Sequence, residues 1–202
     1  MADNYAKIVK NNITRLFNPL PKGLAENLPA DKSKISFVFT AFGETCRIGP
    51  EGIFLDGKNQ TGVIGILISL YALHAVPTIC VSEPFKAFRE FPGSMPYAAA
   101  FATHTQQILV PHTMRIQTFQ NQIRRQLKGR NAPETVGGDF AFIVHPLPKI
   151  ALCYIFYLAD DEFPASVTCL YSNNADCFLP LDALADVGEY TSRKIMDIIR
   201  QT

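Results

Sequence analysis

The sequence lacks the residue patterns that identify the common metal-binding and covalent enzymes. Its five cysteines are odd in number and include no C-x-x-C pair, the spacing typical of zinc and iron–sulfur sites. It has no G-x-S-x-G nucleophile motif and no glycine-rich phosphate loop between a strand and a helix. We therefore predict no metal site and assign no cofactor. The cysteine pattern indicates reduced thiols in a cytoplasmic protein.

Net charge is also almost absent, because 19 Lys and Arg balance 18 Asp and Glu. No overall electrostatic field attracts nucleic acid or an anionic membrane. Residues 62–82 contain no Asp, Glu, Lys or Arg, but Pro77 interrupts them and leaves a helix shorter than the about 20 residues that span a bilayer. We expect a buried helix there, and neither a nucleic-acid nor a membrane partner.

The N-terminal segment carries charges where a signal peptide has an uninterrupted apolar stretch. Instead, residues 2–17 show apolar residues at helical spacing, and a proline-punctuated connector follows over 18–33. The chain has 202 residues and is 48% hydrophobic, which is enough for one domain with a substantial core. We expect a single domain over 1–202, with the helix and connector of 1–33 at its start.

The remaining periodicity groups strands and helices in blocks rather than alternating them. Strands are predicted near 35–41, 44–48, 53–56, 139–145, 149–158 and 165–171, with a short strand after Pro77. Helices are predicted over 61–75, 97–109, 113–128 and 181–200. This order predicts an α+β fold, a largely antiparallel β-sheet with several helices packed on it. Because 150–158 is apolar at every position, we place that strand in the middle of the sheet.

Three blocks of the sequence resemble domain-of-unknown-function family 3786. They are "FGETCRIGPEGI" (42–53), "FREFPG" (88–93) and "GDFAFIVHPLPKIALCYIFYLADDEFPAS" (138–166). Members of that family are themselves uncharacterised and come largely from anaerobic bacteria and archaea. The resemblance implies a role in anaerobic metabolism, and it implies no reaction. This chain has no tryptophan at the positions where members often carry one.

The third block contains three consecutive carboxylates, Asp160, Asp161 and Glu162, between two strand-like runs. The first interpretation is a hairpin turn, because Asp favours turns through local hydrogen bonds to the backbone. The second is a polar site, because adjacent carboxylates repel one another unless a cation lies between them. Arg89 is the cation we expect to pair with them, with Arg47 and Lys149 as further candidates.

The sequence leaves three functions open. The first is small-molecule or cofactor binding in a pocket that is covered by the "FREFPG" segment and by the aromatics that follow it, Tyr97 and Phe101. The second is an accessory protein that binds a protein partner, and the third is an enzyme that uses the acidic cluster or His145 as an acid or base. The oligomeric state is not predicted. The candidate ligand-binding residues are Arg89, Glu90, Tyr97, His145, Asp160, Asp161 and Glu162.

Basic residues gather once, along the helix predicted over 113–128 and at its exit. This basic cluster consists of Arg115, Arg124, Arg125, Lys128 and Arg130. A solvated helix face explains it, with positive charge near the helix C-terminus complementing the helix dipole. A phosphate-bearing partner is the alternative.

Overall fold

The computed structural model describes residues 2–201. Helix α1 covers Ala2–Phe17 and buries Val9, Ile13 and Leu16 at helical spacing. The predicted N-terminal helix is confirmed.

The connector over 18–33 is more regular than expected. It contains a one-turn helix, α2 (Leu24–Asn27), and a short strand, β1 (Asp31–Ser33). Leu24 and Leu28 are buried in the main core, so this segment is packed against the rest of the protein rather than lying free.

The first sheet is an antiparallel meander in which each strand pairs with the next one in the chain. After β1, its strands are Ser36–Ala41 (β2), Glu44–Gly49 (β3), Gly52–Leu55 (β4) and Lys58–Asn59 (β5). Phe37, Phe39 and Ala41 alternate along β2 and are buried, which is the two-residue period of a strand with one face on the core. The three strands predicted in this region are confirmed.

Helix α3 covers Val63–Leu73, inside the predicted range 61–75. It packs against α1, and Leu67, Ile68 and Tyr71 are among its buried residues. In the described part of the chain, no helix combines the length and apolar character needed to cross a membrane.

The segment after α3 corrects one prediction. No strand forms directly after Pro77, and the first strand there is the two-residue β6 (Lys86–Ala87). Side chains from a distant turn replace strand pairing. Asn174 accepts the Val81 N–H at 2.8 Å and donates to the Ile79 carbonyl at 2.9 Å. These bonds satisfy backbone groups that a strand partner would otherwise take.

The helix predicted over 97–109 is also different in the structure. It begins as helix α4 (Met95–Phe101), widens into a π-helical turn (102–106) and tightens into a 3₁₀ turn (107–112) that contains Pro111. The next helix, α5, covers Thr113–Gln126 as expected. Pro111 has no N–H to donate, so a regular α-helix cannot run through this position without losing a hydrogen bond.

The second sheet is also antiparallel and has the strand order β6-β10-β9-β8-β7. Its longer strands were all predicted. The strands after β6 are Arg130–Asn131 (β7), Phe140–Leu147 (β8), Ile150–Tyr157 (β9) and Ser166–Tyr171 (β10). Strand β9 is central and buried along all but its last residue, which confirms its predicted position.

Helix α6 covers Leu181–Arg200, the range predicted from its apolar period, and closes the fold. The two sheets meet where the Phe42 N–H donates to the Pro146 carbonyl at 2.6 Å. Both sheets and the helices between them contribute to one main hydrophobic core. The α+β class is confirmed for a single domain, with the strands divided between two sheets.

Candidate functional site

The "FREFPG" segment folds back on itself next to β10. Phe88–Glu90 forms a 3₁₀ turn after β6, and the Glu90 carboxylate accepts the Ala87 N–H at the start of that turn. Phe88 and Phe91 are buried against Tyr171 of β10, with ring centroids 5.9 and 6.0 Å from it. This aromatic packing fixes the backbone on both sides of Arg89, which is itself exposed.

The helical segment after it packs on the same aromatic group. Phe101, at the end of α4, stacks on Phe88 with centroids 4.6 Å apart and an interplanar angle of 21°. Gly188 of α6 permits this approach, because an added Cβ there would lie 2.6 Å from Phe101 Cε2 and 2.8 Å from the Tyr171 hydroxyl. The absence of a side chain at 188 thus brings α4 and its π-helical turn onto β10.

A cavity of about 310 Å³ lies between the 3₁₀ turn, the α4 to π-helix segment and β10. Its walls combine an apolar part, in which Phe88 and Phe101 lie, with three polar side chains. The polar residues of the wall are Arg89, Gln106 and Thr168, and Cys169 also lines the cavity. Arg89 is the positively charged residue of the lining, and neither Asp nor Glu lines the cavity.

A buried hydrogen-bond network lies near this cavity. Ser192 Oγ donates to the Thr105 carbonyl at 2.7 Å, so its 2.9 Å bond with the Tyr154 hydroxyl has the tyrosine as donor. The Tyr171 hydroxyl donates to the Leu184 carbonyl at 2.6 Å. Burial raises the pKa of Tyr154 and of Tyr171 well above the ordinary value. Both phenols are therefore neutral at physiological pH.

The cysteine in the cavity wall is neutral as well. Cys169 is 1% exposed, and burial raises the pKa of its thiol far above its ordinary value. A thiol, unlike a thiolate, is a poor nucleophile and metal ligand. Arg89 consequently supplies the charge of the cavity.

The three acidic residues lie elsewhere, in the exposed turn between β9 and β10. Asp160 Oδ1 accepts the Phe163 N–H at 2.7 Å and the Glu162 N–H at 2.9 Å. These two hydrogen bonds lower the pKa of Asp160, because they favour the charged carboxylate. The geometry is that of an Asp-stabilised turn, the first of the two interpretations of this motif.

None of the three cations expected to pair with these acids does so in the part of the chain that the structure describes. Arg89 forms no ion pair there, Arg47 pairs with Glu51, and Lys149 donates to the Val76 carbonyl at 2.6 Å. The expected clamp between the "FREFPG" segment and the acidic cluster is therefore not formed. Strand pairing explains the separation, because β6 aligns Ala87 with Leu170, near the far end of β10 from the turn.

His145 and Tyr97 also lie outside the cavity lining. The His145 N–H donates to the Leu127 carbonyl, and Nδ1 donates to the Lys128 carbonyl, both at 3.0 Å. Burial lowers the pKa of His145, so the ring is neutral at pH 7. It connects β8 to the end of α5. Tyr97 is 39% exposed on α4, one residue before Ala98, which lines the cavity.

Of the candidate residues, Arg89 lines the cavity. Phe101, one of the aromatics expected to cover a pocket, lines it as well, whereas Gln106, Thr168 and Cys169 were not anticipated. Within residues 2–201, no group of three His, Cys, Asp or Glu is placed to hold a metal ion.

The fold and this cavity define an α+β protein built from two antiparallel sheets. The chain belongs to the family described as Domain of unknown function (DUF3786), whose family model matches residues 21–194. The matched range contains both sheets and every residue that lines the cavity. No curated protein and no solved structure matches the chain.

Proposed function

We propose that the protein binds a small anionic molecule in the cavity formed by the 3₁₀ turn Phe88–Glu90, the π-helical turn (102–106) and β10. The observation that carries this proposal is the position of Arg89. Arg89 lines this concave wall, and its guanidinium group forms no ion pair within residues 2–201. A carboxylate or phosphate group of a ligand supplies the partner, because guanidinium binds both in a bidentate geometry.

The other walls fit a ligand that has an apolar part. Phe88 and Phe101 provide aromatic surface, and the Gln106 amide and the Thr168 hydroxyl provide hydrogen-bonding groups. Ligand sites typically combine a mainly apolar lining with a few polar groups. The volume of about 310 Å³ lies at the small end of that class, which favours a small organic acid or phosphate ester over a large cofactor.

Binding has more structural support than acid–base catalysis. No Asp, Glu or His is among the residues that line the cavity, and Cys169 is a neutral thiol. The acidic cluster lies in an exposed turn, where the pKa of Asp160 is lowered rather than raised. A carboxyl group that acts as a general acid near neutral pH needs a raised pKa.

The direct test removes the charge of Arg89. A thermal-shift screen with small carboxylates and phosphate esters identifies a ligand, and calorimetry measures its affinity for the wild type and for Arg89→Gln. We expect a loss of roughly 10- to 100-fold, because hydrogen bonds to charged groups contribute about 1.5–3 kcal/mol. Arg15→Gln is the matched control, since Arg15 is exposed on α1 and is not among the lining residues.

A second variant tests the cavity without changing any charge. Ala102 lines the wall, and Ala102→Leu places three more carbon atoms in the cavity. We expect this variant to lose binding while circular dichroism shows an intact fold. Unchanged affinity in both Arg89→Gln and Ala102→Leu contradicts the proposed site.

A further inference from the structure

The structure divides the basic cluster of α5 into two parts with different surroundings. Arg115 is used structurally, because its Nε donates to the Ile199 carbonyl near the end of α6 at 2.6 Å. Arg124, Arg125 and Arg130 instead line a groove of about 550 Å³ between the end of α5 and strand β7. The groove is on a different part of the molecule from the Arg89 cavity and shares no lining residue with it.

These three arginines are not neutralised by the protein. None of them forms an ion pair with a carboxylate in the described range 2–201. Neither Asp nor Glu is among the residues that line the groove, and the exposed Lys128 adds a fourth positive charge in the turn between α5 and β7. This concentration of charge is unusual for a chain whose formal net charge is +1.

The negative end of the α5 dipole does not offset that charge. It is equivalent to roughly half an elementary charge, against four positive side chains. The carbonyls at this end are also engaged: Leu127 and Lys128 accept from His145, and Arg124 accepts the Gly129 N–H at 2.6 Å. The groove thus presents donors and cations to a ligand.

Two local features shape the groove for binding. Asn121 accepts a hydrogen bond from the Arg124 guanidinium, which orients that group and leaves the Asn121 amide N–H₂ to donate elsewhere. Gly129 has no space for a side chain, because an added Cβ would lie 2.3 Å from the Ile143 carbonyl oxygen. A larger residue at 129 would push the turn away from β8 and separate Arg124 from Arg130.

We propose that this arginine groove binds a small molecule that carries a chain of two or three phosphate groups. Guanidinium groups bind phosphate oxygens in a bidentate geometry, and three of them around one groove match several phosphates better than one. The two asparagine amides of the lining, Asn121 and Asn131, add donors for the remaining phosphate oxygens.

The experiment uses inorganic triphosphate as the probe, titrated into the full-length protein by calorimetry. We expect one site per chain, weaker binding at higher salt, and an affinity loss of about tenfold or more in the double variant Arg124→Gln/Arg130→Gln. Arg15→Gln is the control and should bind like the wild type. Arg124 and Arg130 are surface side chains, so thermal melts should show that the double variant is folded.

His145 provides a second readout that mere surface attraction would not move. Burial is the main cause of its lowered pKa, and the charge of Arg130 lowers it further. Bound triphosphate neutralises that charge, so NMR titration of the imidazole should show its pKa rising on binding in the wild type. In the double variant the ligand should cause no such rise.

Several results would overturn the groove site. The first is that millimolar triphosphate does not bind, and the second is that the double variant binds it as tightly as the wild type. The third is that Arg89→Gln abolishes binding, which would assign the anion to the cavity. Inorganic phosphate binding as tightly as triphosphate would overturn the phosphate-chain requirement. A short single-stranded oligonucleotide that binds more tightly than triphosphate would point to nucleic acid instead.

Discussion

Gly65 in α3 is a position where one added methyl group tests the packing of the fold directly. Built onto the backbone, a Cβ at 65 lies 2.3 Å from the Gln60 carbonyl oxygen and 3.1 Å from Val9 Cγ2. The valine methyl can move, but the Gln60 carbonyl belongs to backbone that is tied to β4 by the hydrogen bond from Gln60 N–H to Ile53. Gly65→Ala must therefore shift α3 away from this backbone.

Two opposing effects set the magnitude. Alanine is favoured over glycine inside a helix by about 1 kcal/mol. Overpacking a core typically costs about 1–3 kcal/mol, and a clash with constrained backbone belongs at the upper end of that range. We expect Gly65→Ala to lower the free energy of unfolding by about 2 kcal/mol, which for a chain of this size corresponds to a fall in Tm of roughly 4–8 °C.

The assay is urea unfolding together with a thermal melt, and Gly62→Ala is the matched control. Gly62 is the residue before α3, has φ −96°, and has no atom within 4 Å of an added Cβ. Its substitution should change stability by less than about 0.5 kcal/mol, because a modest loss of capping preference is offset by lower entropy of the unfolded chain. A Gly65→Ala protein as stable as wild type, or an equal effect at both glycines, would refute the reasoning.

Two further predictions concern titration and thiol chemistry. The pKa of His145 is lowered in the folded protein from its ordinary value of 6.5, so the unfolded chain binds the proton more readily. The contribution of His145 to stability should therefore be fully present above pH 6.5 and be lost as the pH falls below it. Urea unfolding at about pH 7.5 and about pH 5.5 should show this loss, and His145→Gln should reduce it; an identical pH dependence in the variant contradicts the assignment. Cys177 is exposed, whereas burial raises the pKa of Cys46 to about 12 and that of Cys153 to about 11. A thiol reagent should label Cys177 before those two, and in Cys177→Ser the half-buried Cys80 should be the first thiol to react, more slowly than Cys177 does in the wild type. An unchanged early phase in Cys177→Ser would contradict the assignment.

The strongest periodic patterns predicted their elements well. Helix α6 occupies the predicted range 181–200, and β9 is the central strand that its continuous apolar run indicated. Both patterns are local, since a helix or strand that buries one or both faces repeats its apolar residues within the segment itself. The two elements could therefore be placed without knowing what packs against them.

The segments that were predicted wrongly depend on distant residues. Asn174 supplies the hydrogen bonds that hold the backbone after Pro77 without a strand partner, across more than ninety positions of sequence. The pairing of Arg89 with the acidic cluster failed for a related reason. The sequence places both in segments with strong turn chemistry, but the register of β6 on β10 puts them apart.

The sequence by itself determined the α+β class and the range of most elements, because the apolar period acts between near neighbours in the chain. For Asp160 to Glu162 it left a turn and a polar site open, and the structure decided for the turn. Tertiary structure alone decided that Gly65 is in close contact while Gly62 is free, although the two glycines look alike in the sequence. It also decided which polar residues share a wall. Arg89, Gln106 and Thr168 come from three separate segments and meet because β6 pairs with β10 and the π-helical turn packs on β10. Such a meeting is set by strand register and helix packing, which no local pattern contains.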